Sequence, residues 1–192
     1  MGLVQSTAPV SEPVPIDDLR DHLRIDDSED IYVQTLARAA REWCEMFTRR
    51  QFVDATYQLT LDEFSDAMEL PRPPLDSVTS IAYIDEDGNS QILDSSIYSV
   101  DTGVEPGLVR LAYNQSWPAI RSTPNAVTIT YIAGYGGPVA VPAVCKHAIK
   151  LLVGHWYENR EDVVVSDRVR VIKVPTSVET LLWAVRTLVE VA

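Results

Sequence analysis

The chain of 192 residues has few of the residue types from which catalytic and metal-binding sites are usually built. It contains two cysteines, Cys44 and Cys145, and three histidines, His22, His147 and His155. None of them is spaced like a set of zinc ligands, and two isolated cysteines are typical of free thiols in a reducing compartment. No nucleophile–base pair or carboxylate pair can be located from spacing. We therefore expect no metal, no cofactor and no enzymatic activity.

Long apolar runs and an excess of basic residues are missing as well. No apolar run approaches the roughly 20 residues that a membrane-spanning helix needs, so no membrane partner is expected. Acidic residues outnumber basic ones by 28 to 16. The excess is confined to residues 1–145, which hold 22 acidic and 9 basic side chains, whereas residues 146–192 hold 6 and 7. Because attraction to DNA requires a basic face, this distribution argues against specific DNA binding.

Hydrophobic periodicity divides the chain into two helical ends and a β-rich middle. Residues 1–15 are rich in Ser, Pro and Val without periodicity, which predicts a flexible N-terminal arm. Apolar residues recur at helical spacing from Ile16, and a second helical pattern begins after Ser28, so residues 16–50 are assigned to two helices. The charged residues that this pattern puts on the polar faces of the second helix are Arg38, Arg41, Glu42 and Glu45.

In the middle of the chain, residues 51–140, the period changes from helical to alternating. Tyr57, Leu59 and Leu61 alternate with polar residues, and the acidic residues 85–89 predict a hairpin turn with Gly88 at positive φ. Residues 141–192 return to helical spacing and predict a third helix, a valine-rich loop and a C-terminal helix. The pattern predicts an α+β fold, in which a bundle of about four helices carries an inserted small antiparallel β domain.

The C-terminal part supplies candidate interface residues. Four valines occupy alternate positions in residues 163–171, which predicts a two-stranded loop able to pair with the edge of a neighbour. At roughly 100° per residue, Trp183 lies about 140° from Val178 and therefore outside the apolar stripe of the last helix. The candidates are Trp183, Arg186, Val163, Val165, Val169 and Val171.

Two segments resemble ligand-binding loops only in part. Residues 85–89 are acidic like a calcium loop, but Gly88 comes too early and no bidentate glutamate follows at the right offset. Residues 134–137 are rich in glycine like a phosphate cradle, but no Lys-Ser/Thr pair follows them. A solvated hairpin turn and a sharp exit from a sheet are the better interpretations.

Several short motifs, taken in their order and spacing from Ile16 onward, are similar to the head–tail connector (adaptor) family of tailed bacteriophages and gene transfer agents. They are DDLRDHLR at 17–24, FTRR at 47–50, LTLDEF at 59–64, LPRPPLDSV at 70–78, YIAGY at 131–135, WYENRE at 156–161 and VP at 174–175.

The resemblance implies a non-enzymatic virion protein of the head–tail junction, synthesised in the cytoplasm of a bacterial host. Members of this family form a ring, usually of 12 copies, beneath the portal protein. The ring extends the DNA channel without binding DNA specifically and provides the platform for a neck, stopper or tail-terminator protein. In several relatives the C-terminal segment docks against the portal, which makes Trp183 a candidate for that contact.

A ring that passes DNA should repel phosphates rather than hold them. We therefore hypothesise that part of the acidic excess near the first two helices faces the channel or its rim. The candidate residues are Asp17, Asp18, Asp21, Asp26, Asp27, Glu29 and Asp30.

A second hypothesis assigns the chain to another tail or baseplate component. In that case the β-rich middle would be a small module that binds a carbohydrate or another ligand. A cleft lined with aromatic side chains on the β insertion would favour this alternative over the ring-forming adaptor.

Overall fold

The computed structural model describes residues 1–160, 163–164, 170–171 and 175–187. These residues form two units. One unit contains residues 11–48 and 137–186, and it is helical; the other contains residues 1–10 and 49–136 together with Thr187, and it is built of β-strands. The predicted α+β class is confirmed.

Four α-helices make up the helical unit in its described part: α1 (Ile16–Leu23), α2 (Asp30–Thr48), α3 (Ala143–Glu158) and α4 (Thr176–Trp183). Helix α2 packs along α3, while α1 lies against both and α4 packs on α3 and α2. Short 3-10 helices at Asp27–Glu29 and Pro138–Ala140 precede α2 and α3. The face that α2 buries recurs at helical spacing, as Val33, Ala37, Ala40, Cys44 and Thr48.

The prediction that Arg41 and Glu45 lie on the polar faces of α2 is wrong, because both side chains are buried. Arg41 Nη1 donates to Glu45 Oε2 at 2.7 Å, and Arg41 Nε donates to Glu12 Oε2 at 2.8 Å. Burial disfavours the guanidinium charge, but the carboxylates of Glu45 and Glu12 outweigh this effect and raise the pKa of Arg41. The segment that carries Glu12 is thus held against α2 by a buried ionic cluster.

The β unit contains two antiparallel sheets. The five-stranded sheet has the order β1 (Gly2–Thr7), β2 (Ala55–Leu61), β8 (Val127–Ala133), β4 (Leu75–Ile84) and β5 (Ser90–Ile92). The three-stranded sheet has the order β3 (Ala67–Leu70), β7 (Gly107–Leu111) and β6 (Tyr98–Asp101).

One hydrophobic core joins the two sheets of the β unit. The predicted alternation is confirmed in β2, where Tyr57 and Leu59 are buried and Gln58 is exposed. The predicted hairpin is confirmed as β4–β5, with Ile84 opposite Ser90 and Gly88 at a φ of 91°. The largest fully buried side chains of the core are Tyr131, Leu59, Leu70, Ile81 and Ile129.

The N-terminal arm differs from its prediction. Gly2–Thr7 is strand β1, which pairs antiparallel with β2 from Gly2 opposite Thr60 to Thr7 opposite Thr56. The half-buried Leu3 packs against the core of the β unit. Because β2 otherwise presents an open edge, backbone pairing orders a segment that has no strand periodicity of its own.

The valine-rich loop is described only in part. Strands β9 (Val163–Val164) and β10 (Arg170–Val171) pair antiparallel, with Val163 opposite Val171, as expected for a two-stranded loop. Val165 and Val169 lie outside the described residues, and the pairing of this loop with a neighbour stays a prediction.

Candidate interface surfaces

Trp183, the candidate with a positional argument from sequence, belongs to a group of four side chains that we call the aromatic–arginine cluster. Trp43 and Phe47 stack on successive turns of α2, with ring centroids 5.2 Å apart. The ring of Trp183, at the end of α4, meets Phe47 edge to face at 6.0 Å. The guanidinium of Arg186 lies 4.6 Å from the centroid of Trp183 and 5.2 Å from that of Phe47.

The cluster is packed internally but remains open to solvent on one side. Trp183 is 55% exposed, whereas Val178 and Leu182 on the same helix are fully buried. The sequence therefore predicted correctly that Trp183 is exposed, but it did not predict the contacts of its ring with Phe47 and Arg186. Within the described part of the chain no carboxylate lies within 4.0 Å of Arg186, and the contacts seen for its guanidinium are those with the two rings.

Four of the seven acidic residues proposed for a channel are ion-paired within the helical unit. Arg20 bridges Asp17 and Asp30, Lys150 Nζ donates to Asp18 Oδ2 at 2.9 Å, and Arg160 Nη2 donates to Glu29 Oε2 at 2.6 Å. The bond from Arg20 holds the pKa of Asp30 below its usual value. These pairs neutralise much of the local charge.

Asp21, Asp26 and Asp27 are the three that remain. All are exposed, and none of them has an ion pair with a residue that the structure describes. Asp26 accepts hydrogen bonds from the side chain and the backbone N–H of Ser28, and these bonds lower the pKa of Asp26. The structure thus leaves a smaller acidic surface than the sequence suggested.

Sequence reasoning missed a stacked arginine at the end of α3. The guanidinium of Arg160 lies 4.7 Å from the ring centroid of Tyr32 and 5.1 Å from that of Tyr157. Desolvation disfavours the positive charge of Arg160, but the nearby Glu29 carboxylate outweighs this effect and raises the pKa of Arg160. Arg160 therefore joins α2, α3 and the 3-10 helix before α2, immediately before the valine-rich loop begins. Arg160 belongs to the WYENRE motif, but its role becomes visible only from the rings on which it stacks.

The glycine-rich segment that follows β8 does not present a phosphate cradle, because the backbone donors of residues 134–136 are already used. Gly134 N–H donates to the carbonyl of Pro74 at 2.9 Å, and Tyr135 N–H donates to that of Phe52 at 3.0 Å. Gly136 N–H donates to Asp54 Oδ1 at 2.8 Å. These bonds anchor the end of β8, in agreement with a sharp exit from the sheet.

The carboxylate of Asp85 in the acidic hairpin turn is likewise engaged in internal bonds. Asp85 Oδ1 accepts from Asn89 N–H at 2.7 Å and Asp85 Oδ2 accepts from the Gln91 amide at 2.9 Å. The bond from Gln91, followed by that from Asn89, lowers the pKa of Asp85. Across the described ranges, no group of three or more His, Cys, Asp or Glu side chains could hold a metal ion.

Cys44 and Cys145 are both buried and unbridged. Burial raises the pKa of the Cys44 thiol, which keeps it protonated and poorly reactive. In the same described ranges, no helix combines the length and the apolar character that crossing a membrane requires.

Comparison with solved structures finds chains of the same fold in gene transfer agent (GTA) particles. A chain from the neck of an empty GTA particle computed with C6 symmetry has a TM-score of 0.81 and 25% identity, over 100% of this chain and 98% of that chain. Chains from the virion of a native GTA particle and from the neck of a native GTA particle computed with C12 symmetry have TM-scores of 0.79 and 24% identity, with the same coverage. This chain has their fold. No family model and no curated protein matches the sequence.

The similarity extends over both units, so the β insertion belongs to the shared fold rather than to an unrelated ligand-binding module. Three aromatic side chains of that insertion, Phe64, Tyr83 and Trp117, pack on one another. Phe64 and Trp117 stack face to face at 4.6 Å, and Phe64 meets Tyr83 at 6.0 Å. One face of each stacked ring is therefore unavailable to a sugar, which disfavours the carbohydrate-binding alternative.

Proposed function

We propose that this chain is a structural subunit of the neck at the head–tail junction of a phage-like particle. In this proposal, about 12 copies form a ring beneath the portal protein, extend the DNA channel and carry the next neck, stopper or tail-terminator protein. The proposal rests mainly on the full-length similarity to a GTA neck chain at a TM-score of 0.81 and 25% identity. The symmetric necks of the similar particles support a ring.

The surfaces of the molecule fit an assembly role. The described residues include a partly exposed aromatic–arginine cluster and contain no cluster of metal ligands. Exposed tryptophan and arginine side chains are the residue types most enriched among those that dominate binding between proteins. The described part of the chain thus offers a surface suited to contacts between proteins.

Deletion of the gene should block tail attachment. We expect filled heads without tails, because the platform for the next neck protein is missing, and we expect at least a hundredfold loss of particle-mediated DNA transfer. Electron microscopy and a transfer assay measure the two effects. Re-expression of the intact chain is the control. Normal tailed particles from the deletion strain would rule out an essential neck role.

The acidic surface has a proposed role in the same ring. We propose that Asp21, Asp26 and Asp27 face the channel or its rim, where their negative charge keeps the duplex from binding.

Reversing charge on this surface should slow the passage of DNA. We expect the double variant Asp21→Lys/Asp27→Lys to assemble normally but to transfer about tenfold less DNA, because added lysines bind phosphates. The matched control is Asp66→Lys/Glu69→Lys, which makes the same charge change at exposed positions of the β unit. Equal transfer by both double variants would place Asp21 and Asp27 outside the channel.

A further inference from the structure

The helical unit contains an apolar cavity that no side chain of the chain's described part fills. Its volume is about 400 Å³, and it lies between the segment before α1, helix α1 itself and one face of α2. The residues that matter for its chemistry are Glu12, Val14, Ile16, Leu19, Gln34 and Ala37.

The same helical unit exposes a side chain whose size suits this cavity. Trp183 is the largest exposed apolar side chain that the structure describes, and Phe47 and Arg186 hold its ring in one orientation. An indole that is already oriented loses little conformational entropy on binding, which is the property expected of an interface anchor. A cavity of 400 Å³ is large enough for an indole ring and part of its neighbour.

The charges of the two surfaces are complementary. Arg186 has no carboxylate partner among the residues described. Glu12, at the cavity, belongs to a cluster of three carboxylates and two guanidiniums, which therefore has an excess of negative charge. Glu12 remains 29% exposed within it. Its members are Glu12, Glu42, Glu45, Arg38 and Arg41.

The cavity and the cluster lie on different sides of one helix. At roughly 100° per residue, the mean direction of Gln34 and Ala37 on α2 differs by about 130° from that of Trp43 and Phe47. A head-to-tail contact requires two such separate and complementary patches, and repeated head-to-tail contacts form a ring when the rotation between successive copies closes.

We infer that Trp183 and Arg186 of one copy insert into the cavity beside Glu12 of the next copy. The occupant of the cavity is therefore a second copy of this chain, and the contact builds the ring. This inference rests on the proposed function, because it assigns a subunit contact within that ring.

Cross-linking between two single-cysteine variants tests the contact. Ala184→Cys lies next to Trp183 and Gln34→Cys lies at the cavity, and both positions are exposed. Because each copy carries one introduced cysteine, a disulfide between the two variants forms only between copies; buried Cys44 and Cys145 give little background. The variants are co-incorporated into particles, oxidised and analysed by non-reducing electrophoresis and mass spectrometry. We expect a strong 184–34 dimer.

Two controls give the result its meaning. Thr35→Cys replaces Gln34→Cys at an exposed position about 100° around α2, and it should cross-link weakly. Trp183→Ala should weaken self-association of the purified chain by about 30-fold, as expected for an anchor residue, whereas Ile31→Ala, at another exposed apolar position, should not.

The inference is overturned if particles incorporate both variants but the 184–34 dimer is absent or no stronger than the 184–35 dimer. It is also overturned if Trp183→Ala reduces binding to the portal while the dimer persists at full yield. Failure of the chain to enter the neck at all would contradict the proposed function itself.

Discussion

Replacing Gly134 with alanine should destabilise the β unit by about 3 kcal/mol. Gly134 has a φ of +145°, a conformation that side chains other than glycine rarely adopt. A Cβ atom at this position would lie 2.6 Å from the backbone nitrogen and 2.7 Å from the Cα atom of Asp54. Because backbone atoms cannot rotate away as a side-chain end can, the clash must displace the anchor at the end of β8. Denaturant unfolding measures the loss.

Gly137→Ala is the matched control for this variant. Its φ of −73° suits any residue, and nothing lies within 4 Å of a Cβ atom there. We expect a change of less than about 0.5 kcal/mol. Hydrogen exchange should show lost protection in β2 and β8 only for Gly134→Ala. Equal stability of the two variants would contradict the proposed anchoring of β8 by residues 134–136.

Replacing Arg41 with methionine should destabilise the helical unit by about 3 kcal/mol. The side chain of Arg41 is 6% exposed, and that of its partner Glu45 is 8% exposed. Removing the guanidinium takes the cation of Arg41 away from the buried Glu45 carboxylate, and it also removes the hydrogen bond from Arg41 to Glu12. The free energy of unfolding of the purified chain is the quantity to measure.

Two further variants separate the buried charge from other effects of the change. Arg41→Met/Glu45→Leu removes both buried charges, and we expect it to regain most of the lost stability because apolar side chains can replace a buried ion pair. Arg38→Met removes an arginine that is 72% exposed and lies 4.0 Å from Glu12, so it should cost less than about 0.5 kcal/mol. A double variant as unstable as Arg41→Met would show that packing, rather than the loss of the Arg41 charge beside Glu45, accounts for the lower stability.

The elements with strong periodicity could be predicted from the sequence because their side-chain patterns carry the information locally. The alternation of Tyr57 and Leu59 with polar residues predicted β2, and the helical spacing of apolar residues from Ile16 predicted α1. The angular position of Trp183, away from Val178 on the helix, predicted that Trp183 is exposed, because the residues of a single helical turn determine this position.

The remaining features depend on partners that are distant in the sequence. Strand β1 has no pattern of its own, and it forms because β2 supplies a backbone edge 49 to 58 residues away. Arg41 appears solvated on a helical wheel, and it is buried because Glu12 folds over it from 29 residues away. The cavity beside Glu12 is likewise visible only after the segment before α1 has packed on α2.

The central claim, that this chain is a neck subunit, is tested most directly by electron cryomicroscopy of intact particles that encode it. The account predicts that the fold of this chain fits a ring of density between the portal and the first tail protein, with about 12 copies around the DNA channel. Density for this fold in the baseplate, in the tail tube or at the capsid surface, with a different protein below the portal, would contradict it.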